Sequence, residues 1–215
     1  MTPWNDNKTP HKIDIEVPNG TSGVWSVSTY TVTEEDERWE IVRAAASSSS
    51  RGRYVSAGTY KALKRNGHVI MSNTPDEIRD HRYFFSRAKG KVLINGLGLG
   101  MALKAILNKV DDKGAPAVEL VHVVEKAEDV LKLVRPTYES DKRVSFIHAD
   151  ALEYKPTLRY DVVWHDIFDD ICADNLPIMH KLHRKYGGKA EWQGSWCRER
   201  CEYLLKQQRA HSRFW

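Results

Sequence analysis

The sequence predicts an α/β protein built on a doubly wound, mostly parallel, Rossmann-like sheet. Short apolar runs alternate with helix-periodic stretches after residue 90, an order typical of a parallel sheet covered by helices. The runs begin at Val92, Val118, Val144 and Tyr160. Alternate glycines follow the first run, and an acidic residue follows each of the others. Ligands of open α/β sheets bind at these carboxyl ends of the strands, so the same pattern predicts where a binding site lies.

An N-terminal region of two β-hairpins and a helix is predicted over residues 1–74. Apolar and polar residues alternate on both sides of two turn-forming segments, as in half-buried strands. In the second hairpin, Asn66-Gly67 favours a type I′ turn because both residue types tolerate positive φ. Thr33 and Asp36 resemble a capping box at the start of the helix. The predicted elements are strands over 12–17 and 24–32, a helix from 33 that ends at the serine run 47–50, and strands over 59–65 and 68–73.

The Rossmann-like domain is predicted over residues 75–215. Thr74 as N-cap, a proline at the first helical position and Glu77 predict one continuous helix over 75–88. This helix leads into the glycine strand and carries Asp80 and His81 towards the same end of the sheet. The later elements are predicted as helices over 101–110, 127–134, 172–186 and 198–208, with a fifth strand over 190–196.

Length and composition fit one main domain with a substantial core. The chain has 215 residues, of which 41% are hydrophobic, and no apolar run approaches the ~20 residues that cross a bilayer. Its first residues lack the basic and apolar segments of a signal peptide. Its three cysteines are too few for a disulfide framework. We therefore expect a soluble, cytoplasmic protein without a membrane partner, and a homo-oligomer, because exposed hairpin edges are usually paired or covered.

Two histidines and two cysteines leave a zinc site open as an alternative. His180 and His183 are three positions apart, and Cys197 and Cys201 are four apart, so each pair can lie on one helical face. Each spacing also follows from helix periodicity alone. No metal is therefore predicted.

The charge of the chain does not by itself indicate a nucleic-acid partner. Its 33 basic and 29 acidic residues leave a net charge of +4. The last third nevertheless interleaves basic and aromatic side chains, which leaves two interpretations open. They either bind a polyanion with exposed bases or form a solvated helix face over core aromatics. The residues concerned are Lys181, His183, Arg184, Lys185, Lys189, Trp192, Trp196, Arg198, Arg200, Tyr203, Lys206, Arg209, Arg213 and Trp215.

Gly96, Gly98 and Gly100 form the predicted binding loop after the first strand. Glycine can adopt positive φ and has no Cβ, so the backbone can turn sharply and a ligand can lie against it. The N-terminus of the following helix is expected to supply free N–H donors. The motif alone also fits a purely structural turn, so its surroundings decide between the two interpretations.

Acidic residues after the second and third strands fit an unphosphorylated nucleoside. Glu125 can accept hydrogen bonds from both hydroxyls of a ribose, and it would repel a phosphate at that position. Asp150, beside the apolar Ala151, can accept a hydrogen bond from the exocyclic amine of an adenine. Their recurrence at strand ends favours a ligand site over isolated surface caps.

With these motifs, about residues 58–170 resemble the class I S-adenosylmethionine-dependent methyltransferases, and most closely their spermidine synthase-like branch. The resemblance implies S-adenosylmethionine as the cofactor, with its amino-acid part against the glycine motif. It also implies the ribose at the acidic residue after the second strand and the adenine at the motif after the third. The matched positions are Asn95, Gly96, Gly98, Gly100, Glu125, Lys126, Asp150, Ala151 and Asp166.

Departures from the spermidine synthase pattern favour methyl transfer over aminopropyl transfer. Asp80 stands where those synthases have a tyrosine, Met71 where they have a glutamine, and residues 166–170 replace their Asp-Ser-Ser-Asp-Pro type of motif. The terminal antiparallel hairpin typical of class I methyltransferases is also expected to be missing. The predicted function is methyl transfer to an unidentified acceptor. An aminopropyltransferase or another enzyme that consumes the same cofactor, and a non-catalytic nucleotide-binding or nucleic-acid-binding protein, remain alternatives.

Four residues are candidates for the catalytic base. Methyl transfer from a sulfonium mainly requires the acceptor lone pair to be held in line, with a base where the acceptor is a hydroxyl or an ammonium. Asp166 and His165 are the first candidates, and Asp80 and His81 the second. Adjacent residues of a strand point to opposite faces of a sheet, so His165 and Asp166 need not both reach the cleft.

Overall fold

The computed structural model describes residues 12–46 and 54–211, which form a parallel and an antiparallel sheet with helices packed around them. In chain order the elements are β1 (Gly20–Ser22), β2 (Trp25–Val32), α1 (Glu34–Ala46), β3 (Gly58–Arg65), β4 (His68–Ser72), α2 (Pro75–Asp80), α3 (Arg82–Arg87), β5 (Gly90–Asn95), α4 (Met101–Leu107), β6 (Val118–Glu125), α5 (Glu128–Val134), β7 (Val144–His148), β8 (Tyr160–His165), α6 (Leu176–Tyr186), β9 (Ala190–Ser195) and α7 (Arg198–His211). None of the helices in the described ranges is long and apolar enough to span a bilayer.

The parallel sheet confirms the predicted fold class. Its five strands have the order β7-β6-β5-β8-β9 and all run parallel. The chain moves outwards from β5 through β6 to β7 and then returns to β8 on the other side of β5, which is the doubly wound arrangement. Ligands bind at the point where the strand order reverses, here between the carboxyl ends of β5 and β8. No antiparallel strand joins this sheet in the described part of the chain, as expected.

Alternating strand residues pack on opposite faces of the parallel sheet. Ile94 and Trp164 belong to a large apolar cluster with α3, α4, α5 and the antiparallel sheet. Leu93 and Val163 belong to a second cluster with Leu182 of α6. Both faces are therefore buried, which explains the almost continuous apolar character of these strands. Between β7 and β8 the second face is covered by a loop rather than a helix.

The antiparallel sheet has the order β1-β2-β3-β4. The predicted hairpin of β3 and β4 is confirmed: Asn66 and Gly67 both adopt positive φ, of 50° and 81°. The predicted capping box of α1 is also confirmed. The Thr33 N–H donates to Asp36 Oδ2 at 2.9 Å, and the Asp36 N–H donates to Thr33 Oγ1 at 3.1 Å. The serine run 47–50 lies outside the described residues.

The first predicted hairpin is wrong in its first strand. Residues 12–17 are extended but pair with no strand, and β2 pairs instead with the three residues of β1. The alternating pattern arises because Ile13, Ile15 and Val17 are buried in the large cluster while their neighbours are exposed. The segment is held by side-chain bonding as well, since Asn73 Nδ2 donates to the Ile13 carbonyl at 2.9 Å.

The helix predicted over 75–88 is broken into α2 and α3 at His81. Its side chain gives the physical reason. The ring Nδ1 of His81 lies 2.8 Å from the Glu77 carbonyl oxygen, the acceptor that a continuous helix would give to the His81 N–H. That N–H donates instead to the Ile78 carbonyl at 3.2 Å. Thr74 makes no side-chain cap bond, so the predicted capping box does not form.

The remaining elements agree with prediction to within a few residues, except that α6 begins at Leu176 after a short 3-10 turn. The domain boundary at residue 74, the cytoplasmic location and homo-oligomer formation stay predictions. The antiparallel sheet shares one apolar cluster with the parallel sheet.

The extended segment before β1 is expected to contribute to stability like a core element. Replacement Ile15→Ala should lower the free energy of unfolding by about 2–4 kcal/mol because it removes buried methyl groups and leaves a cavity. Chemical denaturation measures the effect. The matched control is Asp14→Ala, whose exposed side chain pairs only with exposed Lys12 and should change stability by less than about 1 kcal/mol. Equal effects of the two substitutions would contradict a structural role for this segment.

Candidate functional site

A cavity of about 460 Å³ lies at the carboxyl ends of the central parallel strands. Gly96, Glu125, Asp150 and Asp166 reach it from the ends of β5, β6, β7 and β8 respectively. Trp25, Leu63, Arg65 and Ile70 of the antiparallel sheet form its opposite wall. Its volume is typical of small-molecule sites, which range over roughly 300–1,000 Å³.

The glycine loop is packed so closely that a side chain at any of its three glycine positions would clash with a neighbouring group. Gly96 has a φ of 98°, and a Cβ there would lie 1.9 Å from the Asp166 carbonyl oxygen. Gly98 has a φ of 53°, and a Cβ there would lie 2.3 Å from Met71 Sδ. Both glycines line the cavity. Gly100 instead lies against the ring of Tyr138, so it serves packing on the side away from the cavity.

Most backbone donors of the glycine loop itself already have acceptors. The N–H groups of Leu97 and Leu99 donate to Glu125 Oε2 at 2.8 Å and to Met71 Sδ at 3.3 Å. The N–H groups of Gly96 and Gly100 donate to backbone carbonyls at 2.8 and 2.9 Å. A phosphate cradle requires several such donors to point at the ligand. The loop is therefore poorly suited to a phosphate.

Glu125 is held in a fixed orientation by the backbone. Its Oε1 accepts from the Ala127 N–H and its Oε2 from the Leu97 N–H, both at 2.8 Å. Burial raises the pKa of Glu125, while backbone hydrogen bonds from Ala127, Leu97 and Lys126 oppose the shift. Each carboxylate oxygen has a second lone-pair direction. The residue can thus accept two further hydrogen bonds from a diol in the cavity.

Asp150 and Lys126 form an ion pair at the edge of the cavity. Lys126 Nζ donates to Asp150 Oδ2 at 2.7 Å, and the Leu152 N–H donates to Asp150 Oδ1 at 2.8 Å. The Lys126 hydrogen bond is the main cause of the lowered pKa of Asp150. Ala151 is buried, and its carbonyl accepts a hydrogen bond from the Tyr186 hydroxyl at 2.7 Å. Lys126 therefore faces Asp150, and Ala151 contributes to the apolar floor.

Asp166 and His81 form a second pair, deeper in the protein. His81 Nε2 lies 2.9 Å from Asp166 Oδ2, and the His81 side chain is fully buried. Since Nδ1 faces the Glu77 carbonyl, both ring nitrogens have acceptors, which favours the doubly protonated ring. Burial alone would lower the pKa of His81, but the charge and hydrogen bond of Asp166 together with Glu77 raise it to about 9. The ring is therefore an imidazolium beside a carboxylate near pH 7.

Arg65 and Asp169 join the two walls of the cavity. Arg65 Nη2 donates to Asp169 Oδ2 at 2.5 Å, and the guanidinium lies 5.4 Å from the ring centroid of Trp25. Together with Met71, these residues place the antiparallel sheet over the glycine loop. Sequence reasoning did not assign Arg65 or Trp25 to the site. Only the position of Arg65 next to the Asn66-Gly67 turn, at the tip of a hairpin, could have suggested it.

His165 and Asn95 lie away from the cavity, in a buried polar chain. Asn95 Nδ2 donates to His165 Nδ1 at 2.8 Å, and His165 Nε2 lies 3.2 Å from Gln193 Oε1. Since Nδ1 accepts, Nε2 carries the proton and donates to Gln193. Burial lowers the pKa of His165 to about 3, so the ring is neutral. The structure thus brings together Gly96, Gly98, Glu125, Asp150 and Asp166, but not Asn95, His165 or Asp80.

The zinc alternative has no support in the described part of the chain, where no group of three or more His, Cys, Asp or Glu side chains could hold a metal ion. His183 has other partners. Arg198 Nη1 donates to its Nδ1 at 3.2 Å, and its Nε2 lies 2.9 Å from Ser195 Oγ. Burial and the neighbouring Arg198 lower the pKa of His183 to about 4.

Comparison with known proteins gives a fold-level likeness only. No family model matches the chain, and no curated protein matches it. Solved structures similar to part of it include an S-adenosylmethionine-dependent methyltransferase from Clostridium acetobutylicum, 13% identical over 54% of this chain and 44% of that chain, with a TM-score of 0.37. Another is the N-methyltransferase NodS from Bradyrhizobium japonicum, 13% identical over 54% of this chain and 65% of that chain, with a TM-score of 0.38. The chain thus spans less than two thirds of the length of these proteins, and a likeness of this size carries no conclusion about activity.

The buried His81–Asp166 pair predicts a stability that falls with rising pH. The unfolded histidine loses its proton near pH 6.5, whereas the folded one keeps it to about pH 9. The contribution is therefore fully present below pH 6.5 and is lost as the pH rises towards 9, with a slope of about −1 kcal/mol per pH unit. Replacement His81→Gln should remove this dependence, whereas replacement of exposed His148 by Gln should retain it. Urea unfolding over this pH range provides the measurement, and an unchanged slope in His81→Gln would contradict the assignment.

Proposed function

We propose that the protein is an S-adenosylmethionine-dependent methyltransferase whose cofactor site is the cavity between the two sheets. The observation that carries the proposal is the chemistry of the cavity wall. Four carboxylates but only two cationic side chains line it, and the glycine loop above it offers few free backbone donors. Such a wall disfavours a diphosphate and favours a nucleoside with a positive charge.

The side chains present fit the separate parts of this cofactor. Glu125, held by two backbone donors, has acceptor capacity for both ribose hydroxyls. Ala151, Leu152 and Phe168 offer apolar surface for the adenine next to the Asp150 carboxylate. The amino-acid part would lie against the glycine loop at Gly96 and Gly98, which both line the cavity. These roles rest on donor and acceptor chemistry and on the shape of the wall.

We assign Asp166 to the reacting end of the site. The group supplied by the bound cofactor would be a methyl on a sulfonium, already activated for transfer. Asp166 Oδ2 is engaged by His81, whereas Oδ1 has no hydrogen bond within residues 12–46 and 54–211. Oδ1 can therefore accept a hydrogen bond from an acceptor hydroxyl or ammonium and take its proton. His81 is a positioning residue, because its fully buried ring reaches no ligand.

The other two candidate bases receive no role in the transfer. His165 is fully buried, neutral and committed to Asn95 and Gln193. Asp80 lines a different cavity. Aminopropyl transfer remains the second candidate within the same cofactor chemistry, since Asp166 and Asp169 both reach the cavity and two carboxylates suit a diamine. Against it, Asp169 is already paired with Arg65.

Titration calorimetry tests the cofactor assignment. S-adenosylmethionine and S-adenosylhomocysteine should bind with micromolar affinity, whereas NAD should not bind, because its phosphates meet carboxylates and no cradle. Replacement Glu125→Ala should weaken binding at least tenfold through loss of the ribose acceptors. The control is Glu119→Ala, an exposed carboxylate on the same strand, which should leave affinity unchanged. Because Glu125 also holds the loop, Asp150→Asn, which keeps the acceptor for the Leu152 N–H, provides a second and milder variant.

The product separates the two transfer reactions. Methyl transfer releases S-adenosylhomocysteine, whereas aminopropyl transfer releases methylthioadenosine, so chromatography of reactions with pooled candidate acceptors distinguishes them. Replacement Asp166→Asn should reduce turnover about 100-fold or more with little loss of cofactor affinity. Methylthioadenosine as the sole product would contradict methyl transfer. Failure of every sulfur nucleoside to bind would contradict the cofactor assignment itself.

A further inference from the structure

A second cavity, of about 530 Å³, lies on the other side of the α2–α3 break. Arg82 and Arg87 of α3 line one side, the first turn of α7 lines another, and Trp192 and Ser195 of β9 contribute the floor. Asp80 also lines it, although its neighbour His81 contacts Asp166 in the first cavity. The two cavities are therefore separated by the short segment around His81.

The charge of this second cavity is opposite to that of the first. Five arginines and only two carboxylates line it. Arg79 pairs with Asp76 at 2.6 Å, and Arg198 pairs with Glu202 at 2.9 Å. Arg82 and Arg87 have no carboxylate partner in the described part of the chain. An anion in the cavity would therefore meet two guanidinium groups that form no ion pair with a described residue, and guanidinium is the side-chain group best suited to phosphate.

An aromatic surface adjoins these arginines. The rings of Trp192 and Trp164 are stacked with an interplanar angle of 6° and a centroid distance of 6.4 Å. The Arg87 guanidinium lies 5.8 Å from the Trp192 ring centroid. Gly194 permits this packing, because a Cβ there would lie 2.6 Å from Trp192 and 2.9 Å from Trp164. Trp192 is only partly buried, and an aromatic ring with some exposed surface can contact a planar group such as a base.

The wall also holds buried polar groups whose donors have no acceptor. Arg198 donates to His183 Nδ1, so the proton of this neutral ring is on Nε2 and points to Ser195 Oγ at 2.9 Å. The Ser195 hydroxyl thus accepts from His183, and its own hydrogen has no acceptor in the described residues, although the side chain is only 7% exposed. The Trp164 indole N–H, which belongs to the same wall, is also without an acceptor there. Of these two donors, the Ser195 hydroxyl belongs to a residue that lines the cavity and could donate to a ligand there.

We propose that the second cavity binds a nucleotide, either free or within a single-stranded nucleic acid. Arg82, Arg87 and the Ser195 hydroxyl would bind its phosphate, and Trp192 would stack on its base. The proposal combines the two features that single-strand sites require, a cationic surface and an exposed aromatic ring. It concerns binding alone and does not depend on S-adenosylmethionine or on methyl transfer.

Calorimetry with simple probes tests the two halves of the ligand. Adenosine monophosphate should bind more tightly than either adenosine or inorganic phosphate, since only the monophosphate engages both the arginines and the aromatic ring. The double replacement Arg82→Gln with Arg87→Gln should weaken its binding at least tenfold through loss of charge-assisted hydrogen bonds. The control is Arg159→Gln, the same change at an exposed residue that does not line this cavity, and it should have no effect. Circular dichroism and thermal unfolding verify that each variant is folded.

Fluorescence anisotropy distinguishes the two sources of the nucleotide. If the ligand is part of a single strand, a labelled oligoadenylate will bind more tightly than the monophosphate, with an affinity that falls as salt rises. If it is free, the two will bind about equally. Replacement Trp192→Leu should weaken either ligand several-fold but not inorganic phosphate.

Three outcomes would overturn the proposal. The first is equal affinity for inorganic phosphate and the monophosphate, which would mean that no base is bound. The second is binding that survives the double arginine replacement. The third is absence of binding by all these probes to the folded protein. These titrations contain no sulfur nucleoside, so a negative result here does not affect the proposed S-adenosylmethionine site. Likewise, failure of S-adenosylmethionine to bind does not affect the proposed nucleotide site.

Discussion

The buried pair of His81 and Asp166 is the interaction on which the arrangement of the site depends. It joins the end of β8 to the helical segment before β5, and it requires that segment to break, because the His81 ring takes the carbonyl that a continuous helix would use. The break turns Asp80 towards one cavity and leaves Asp166 in the other. An ion pair this deeply buried tolerates loss of one partner poorly, since the remaining charge has no solvent to replace it. The local backbone shape, the charge at the end of β8 and the separation of the cavities thus have one origin.

The strand-end acids could be predicted from the sequence because two simple rules place them. Apolar runs of strand length fix where β6, β7 and β8 end, and parallel strands bring those ends to one edge. Glu125, Asp150 and Asp166 accordingly reach the same cavity. The alternating apolar and polar residues over 12–17 predict burial correctly but predict a paired strand wrongly. The pattern indicates which side chains are buried, but strand pairing depends on a partner edge, and β2 already pairs with β1 and β3.

The parts of the site that could not be predicted depend on contacts between distant segments. Met71 is one example: its thioether accepts the Leu99 N–H and fills the space that Gly98 leaves. That contact and the hydrogen bond from the Leu97 N–H to Glu125 occupy two backbone donors of the loop. The glycine loop is therefore a closed turn and not a phosphate cradle. Nothing in the motif distinguishes these two states, because the same glycines permit both. The environment that decides which ligand class fits is supplied by the antiparallel sheet, whose last strand contributes Met71, 28 residues before Leu99.

The two cavities differ in the charge of their lining residues. The first has carboxylates at four strand or loop ends, and the second has arginines from the three helices α2, α3 and α7. Between them the His81–Asp166 pair has no net charge while His81 is protonated, so neither cavity gains an unbalanced charge from the residues that divide them. A cation entering the second cavity or a phosphate entering the first would meet groups of its own sign at short range, where the interaction is least screened. The difference in charge between the cavities therefore depends on which strand and helix ends meet, and it follows from the topology that places β8 beside β5.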